Sequence, residues 1–137
     1  MYQSRREDYI ERLIKRFFEA LERVKGKNSQ ALDDALPDVQ DEMAALYEEY
    51  FGTKRQGILQ QPVQNLPEIV ATLEPHQLRP LALLLYHDAM RQSSGEEKWM
   101  LLARSKALLM QGHAATGQID FEDVQLLSHI EQELADW

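Results

Sequence analysis

The chain has no cysteine, and this absence excludes several kinds of site. Without thiols there can be no disulfide framework, no thiolate metal site and no cysteine nucleophile. No apolar run approaches the roughly 18–20 residues that a helix needs to span a bilayer. Acidic residues interrupt the first residues of the chain, so no secretory signal is predicted. We therefore expect a cytoplasmic protein that does not contact a membrane.

Catalytic and cofactor motifs are also missing. The six glycines are scattered and form no phosphate-binding loop after a strand. The four histidines lack the helical spacings, His-Glu-x-x-His or Glu-x-x-His, that bring ligands to one metal. The serines lie in predicted caps and loops, away from any nucleophile elbow. The sequence therefore predicts no catalytic residue, no metal site and no cofactor, and an enzyme is the less favoured interpretation.

Positive charge is scarce outside the first residues, and the net charge is −8. That charge argues against nucleic-acid binding, which depends on neutralising phosphates. Residues 28–50 contain seven acids and no Lys or Arg, whereas residues 1–27 are basic overall. Either the first two helices pair through complementary flanks, or the acids form a patch that captures a basic peptide. The residues of that candidate patch are Asp33, Asp34, Asp38, Asp41 and Glu42.

The apolar residues that are present follow helical spacing, and no segment alternates as a strand would. They predict an all-α domain spanning 1–137, a compact bundle of five or six helices. Residues 1–50 are expected to form a helix pair that breaks at Gly26 and kinks at Pro37. Residues 51–66 are expected to be a loop. Residues 67–137 are expected to hold a short helix, a helical hairpin, a flexible loop at 112–117 and a last helix capped by Asp120 with Asp123.

The hairpin, Leu78–Met110, is the most apolar part of the chain, with a hinge at 93–95. Its two helices carry more apolar surface than one face each can hold, so they should lie at the centre of the bundle. Tyr86 and Trp99 lie beside stripes that are already filled. Because Tyr and Trp are enriched at interface hot spots, these two residues are candidates for an interaction surface.

The order of these segments resembles that of a family of small bacterial helical proteins of unknown function that contain a tetratricopeptide-like (TPR-like) hairpin. The similarity is carried by Asp8-Tyr9-Ile10-Glu11-Arg12-Leu13-Ile14, the acidic second helix, the short third helix and Leu83-Leu84-Leu85-Tyr86. Family members carry a Ser-Phe-Glu-Arg motif before the last helix, where this chain has Asp120-Phe121-Glu122-Asp123. The resemblance implies one TPR-like antiparallel hairpin and no particular activity.

These observations favour a helical scaffold that binds a protein partner or itself, with a homodimer as one form of self-association. The first alternative is a helical bundle that binds a small molecule, or an enzyme, with its pocket near Tyr86, His87 and Trp99. The second is capture of a basic peptide on the acidic second helix.

Overall fold

The protein is helical throughout the residues described in this computed structural model, which are 2–29, 36–92, 95–117 and 120–136. Within them the predicted all-α class is confirmed and no strand is present, but there are seven α-helices rather than five or six. They are α1 (Tyr2–Ser29), α2 (Leu36–Phe51), α3 (Arg55–Gln60), α4 (Leu66–Val70), α5 (Pro75–Met90), α6 (Glu96–Thr116) and α7 (Phe121–Ala135), with a 3₁₀ turn at Val63–Asn65. None of these helices combines the length and the apolarity that crossing a bilayer requires.

The chain divides into two compact units, Met1–Gly52 and Thr53–Trp137, where the sequence predicts a single domain. The first unit consists of α1 and α2, which pack together. Phe17 of α1 is buried, and its ring meets those of Tyr50 and Phe51 edge to face, with centroids 5.3 and 5.4 Å apart. Aromatic pairs of this geometry add to the stabilisation from burial alone.

Two boundaries in the first unit differ from the sequence prediction. α1 continues through Gly26 to Ser29, so the predicted stop at Gly26 is wrong. Gly26 has no positive φ that would end the helix, and it is tolerated inside it. Pro37 is the second residue of α2, where its missing N–H has no helical acceptor, so it does not interrupt α2.

The second unit is built on the hairpin of α5 and α6, which form the most extensive packing in the described structure. The two helices run antiparallel, because Ser105 meets Ala82 whereas Gly112, further along α6, lies beside Leu78. The Ser105 hydroxyl donates a 2.7 Å hydrogen bond to the Ala82 carbonyl. A Cβ on Gly112 would lie 3.8 Å from the Leu78 Cβ, in ordinary van der Waals contact.

The predicted loop 51–66 is largely ordered as α3 and the 3₁₀ turn, so that prediction is wrong. α3 lies alongside α6 and runs in the same direction. Its first residue, Arg55, pairs with Glu97 near the start of α6. The carbonyls at the last turn of α3 accept hydrogen bonds from Arg104, which lies about two turns after Glu97 on α6. Ile58 between them is fully buried.

α7 packs on α6 and begins after Gly117, which adopts the left-handed conformation that ends α6. The predicted flexible loop at 112–117 is therefore wrong, since α6 continues to Thr116. Asp120 is at the N-cap of α7, as predicted, but no side-chain cap hydrogen bond forms there. Asp123 does not assist in capping, because its carboxylate is bound by a side chain of α5.

Candidate functional site

A fully buried carboxylate, Asp88, joins α3 to the end of α5. Its Oδ2 accepts a 2.6 Å hydrogen bond from Arg55 Nε, and its Oδ1 accepts a 3.0 Å hydrogen bond from Arg91 Nε. Arg55 Nη2 also lies 2.6 Å from a carboxylate oxygen of Glu97. Burial opposes the charge on Arg55, but the hydrogen bonds and charges of Asp88 and Glu97 outweigh it and raise the pKa of Arg55 above its usual value. The cluster is a set of ion pairs that joins α3 to α5 and α6.

Arg104 is a second buried charge, and it binds backbone rather than carboxylate. Its guanidinium donates to the carbonyls of Ile58 (3.1 Å), Leu59 (3.3 Å) and Gln61 (2.5 Å), and to Met100 O within its own helix (3.0 Å). Burial without a carboxylate partner lowers the pKa of Arg104. The residue satisfies the carbonyls that the end of α3 leaves without helical donors.

A third cluster lines a cleft of about 190 Å³ between the start of α5, the end of α6 and the start of α7. Arg79 Nε donates to both carboxylate oxygens of buried Asp123, at 3.0 and 3.1 Å, and His113 Nε2 lies 3.5 Å from Oδ2. The lining is Pro75, Arg79, Leu108, Leu109, Gly112, His113, Asp120 and Asp123. Through Asp123, the Arg79–Asp123–His113 cluster attaches the start of α7 to α5 and α6.

Tyr86, a candidate from the sequence, is tied into the second unit. Its hydroxyl is 2.5 Å from His129 Nδ1, and the two rings meet edge to face. His129 Nε2 in turn lies 3.5 Å from Glu133, which also pairs with Lys98 at 3.3 Å. Burial, and then the charge of Glu133, raise the pKa of the Tyr86 hydroxyl. Tyr86 thus joins α5 to α7 and does not present its hydroxyl to solvent.

The most distinctive surface of the second unit is apolar and exposed. Four large apolar side chains on α6 and α7 remain open to solvent: Phe121 (75% exposed), Met110 (56%), Val124 (48%) and Trp99 (36%). We call these four residues the α6–α7 apolar face.

Helical spacing and interhelical ion pairs align the α6–α7 apolar face. Trp99 and Met110 are eleven residues apart, which returns them to the same side of α6 about 16 Å along its axis. Phe121 and Val124 are one turn apart on α7. The pairs His113–Asp123 and Lys106–Glu131, each 3.5 Å, set the register of the two helices and bring Met110 opposite the turn that follows Val124. These pairs define a seam between α6 and α7, in which Met110 lies closest in height to Val124 and Phe121, whereas Trp99 lies about 16 Å further toward the start of α6.

The charge on the α7 side of this face is negative. The sequence has no Lys or Arg after Lys106, whereas residues 107–137 contain six acids. Four of these acids have basic partners from α5 and α6: Glu122 and Asp123 pair with Arg79, Glu131 with Lys106 and Glu133 with Lys98. Exposed Asp120 and Glu122 directly flank Phe121, and the Glu122–Arg79 pair is the longest of the four, at 3.8 Å. Phe121 thus projects between two exposed carboxylates.

The candidate residues from the sequence do not form a single site. Tyr86 bonds to His129, whereas Trp99 is partly exposed and belongs to the α6–α7 apolar face. None of Tyr86, His87 and Trp99 lines the cleft of about 190 Å³. Asp33 and Asp34 lie outside the described residues, and only the backbone of Asp38 is described. Asp41 is exposed and Glu42 half-buried in α2.

Sequence reasoning did not single out Met110, Phe121 and Val124. The i, i+3 spacing of Val124, Leu127 and Ile130 favours one apolar stripe, but six residues turn the helix so that Val124 lies about 120° from fully buried Ile130. The charge pattern is the sequence feature that could have indicated the exposure of Phe121, because Phe121 stands between two acids in a stretch without Lys or Arg.

Among the described residues, no group of three or more His, Asp or Glu side chains is placed to hold a metal ion. No protein-family model matches this chain, and no curated protein or solved structure is significantly similar to it.

Proposed function

We propose that this protein is a helical interaction module of the cytoplasm, and that it binds a segment of another protein on the α6–α7 apolar face. The observation that carries the proposal is the exposure of Trp99, Met110, Phe121 and Val124 on two helices that pack against each other. Single exposed apolar residues are ordinary, whereas a group of them commonly marks an interaction site. Aromatic residues such as Trp99 and Phe121 often supply a large share of the binding energy of an interface.

The polar clusters of the second unit support a binding role over catalysis. Asp88 and Asp123, both buried, are each held by arginine side chains. Among the described residues, no buried side-chain nitrogen or oxygen lacks a hydrogen-bond partner. Such closed clusters serve to hold α3, α5, α6 and α7 together, and a rigid platform lowers the entropic cost of binding.

The TPR-like character of the hairpin belongs to the same proposal. α5 and α6 are antiparallel and meet through small residues, as in helical-repeat scaffolds. A solenoid generally needs about three such units, and the proposal is therefore one hairpin in a closed unit rather than a repeat array. The resemblance to TPR-like bacterial helical proteins fits this interpretation.

A selection from random peptides tests the proposal without knowledge of the partner. Peptides of about 15 residues, roughly four helical turns, are displayed on phage and selected on the immobilised full chain. Enriched peptides are then titrated in solution against the wild type and against the double variant Phe121→Ser/Val124→Ser. We expect the variant to bind at least about tenfold more weakly, because two anchoring contacts are lost.

The matched control is Tyr9→Ser, which removes an exposed aromatic ring from α1 in the other unit. This control should bind the peptides as the wild type does. If no peptide is enriched, or if the peptides bind Phe121→Ser/Val124→Ser unchanged, the proposal is wrong. Size-exclusion chromatography with light scattering separates partner binding from self-association, since a homodimer through this face would dissociate in the double variant.

A further inference from the structure

We infer that the segment bound on the α6–α7 apolar face is cationic, with Lys or Arg side chains next to its apolar anchors. The inference rests on the proposed function and specifies the chemistry of the partner. It follows from the juxtaposition of Phe121 with the exposed carboxylates of Asp120 and Glu122, on a helix that has no Lys or Arg of its own.

The local charge is not balanced from within the unit. Arg79 is the nearest base, and its one guanidinium is shared between two carboxylates: Nε donates to Asp123 and Nη2 pairs with Glu122 at 3.8 Å. Lys106 borders the seam next to Glu131, its ion-pair partner. Asp120 accepts no cap hydrogen bond in its N-cap position. A ligand that covers Phe121 would therefore approach a negative potential, which favours a positive partner in both encounter rate and specificity.

The same charges disfavour other occupants. A two-fold dimer through this face would bring two negatively charged patches together, which disfavours it. An anionic membrane surface or a nucleic acid would meet like charge. An amphipathic helix with apolar residues at i, i+3, i+4 and i+7 and Lys or Arg on its flanks matches both the seam and its charge.

The test uses the peptides enriched on the full chain and two charge-neutralising variants. Asp120→Asn/Glu122→Gln removes the two carboxylates beside Phe121 and leaves the apolar face intact. Glu48→Gln/Glu49→Gln removes the same charge from exposed positions on α2, and therefore controls for net charge. We expect the enriched peptides to carry Lys or Arg beside apolar residues.

The affinity of the enriched peptides should be about tenfold lower for Asp120→Asn/Glu122→Gln than for the wild type, and nearly unchanged for Glu48→Gln/Glu49→Gln. Raising the salt concentration from about 0.05 to 0.5 M should also weaken binding to the wild type by about tenfold or more, since exposed charges are screened.

The outcomes separate this inference from the proposed function. Peptides without basic residues that nevertheless lose affinity in Phe121→Ser/Val124→Ser would overturn the cationic partner and leave the docking face in place. Basic peptides that lose affinity only in Glu48→Gln/Glu49→Gln would assign the binding to acidic α2 and overturn both. The absence of any enriched peptide would also overturn both.

Discussion

Buried charged side chains in this protein are stabilised in two different ways. Asp88 is surrounded by the guanidinium groups of Arg55 and Arg91, so each charge meets its opposite. Arg104 meets only carbonyl dipoles, four of them, and retains a net charge in the interior. Mutation should affect the two arrangements differently. Removing Asp88 leaves two cations without their shared partner, whereas removing Arg104 leaves only neutral carbonyls unsatisfied.

The Asp88→Ala variant should be severely destabilised. The substitution leaves largely buried Arg55 and Arg91 unpaired at this position, and breaking a buried ion pair typically costs about 3–5 kcal/mol. Urea denaturation followed by circular dichroism measures the change in the free energy of unfolding. Glu97→Ala, at a half-exposed partner of Arg55, is the control and should cost under about 1 kcal/mol. Equal losses in the two variants would contradict this assignment.

Tyr86 should make the stability of the second unit sensitive to alkaline pH. Its folded-state pKa is raised above the usual value of 10.0, chiefly by burial. A raised pKa means that the hydroxyl ionises first in the unfolded chain, so the stabilisation is complete below about pH 10 and is lost as pH rises further.

The Tyr86→Phe variant isolates this effect. At neutral pH it should be less stable by about 1 kcal/mol, because the hydrogen bond to His129 is lost. Above about pH 10 the difference between wild type and variant should narrow. Unfolding free energies measured from neutral pH to about pH 11 provide the check, and a difference that widened with pH would contradict the prediction.

At the scale of elements, α3 depends on one side chain from another helix. With only six residues it is too short to be stable alone. Arg104→Met should therefore release α3: the carbonyls of Ile58, Leu59 and Gln61 lose their donor, at a cost of about 1–3 kcal/mol. Hydrogen–deuterium exchange should accelerate at the amides of residues 55–61 well before those of α5. Uniform acceleration across the second unit would indicate instead that Arg104 supports the whole core.

The elements themselves differ in how far the sequence predicts them. Helix class and the start of α5 at Pro75 follow from periodicity and from proline at the first turn, and both are confirmed. α3 was missed because no local signal predicts it: glycine and glutamine suggest a loop, and its order comes from burial of Ile58 and from Arg104, distant in sequence. The exposed residues of α7 were missed for the opposite reason, since their apolar spacing predicts burial that the neighbouring helices do not supply.

At the scale of the whole molecule, each unit has its own core. In the first, Phe17 meets Phe18, Tyr50 and Phe51. In the second, α5 and α6 supply most of the fully buried leucines. Two units with separate cores need not unfold together, because cooperative unfolding follows regions of dense packing.

The Phe17→Ala variant should therefore destabilise the first unit selectively. Loss of a buried phenylalanine typically costs about 3–5 kcal/mol. Hydrogen–deuterium exchange on the full chain should speed up in α1 and α2, with little change in α5 and α6. Leu85→Ala, in the fully buried part of α5, is the reciprocal control and should speed exchange in the second unit. Equal acceleration of both units by either variant would show that they unfold as one.

The contact between Arg104 and α3 has a consequence for how related sequences could diverge. Because the guanidinium binds main-chain carbonyls, it places no demand on the side chains at positions 59 and 61, and their identities can drift while the contact persists. Substitutions at those positions need no compensating change at position 104. Covariation between α3 and α6 should therefore be weak at this point of tight physical contact and stronger between positions 55 and 88, where the partners are two side chains.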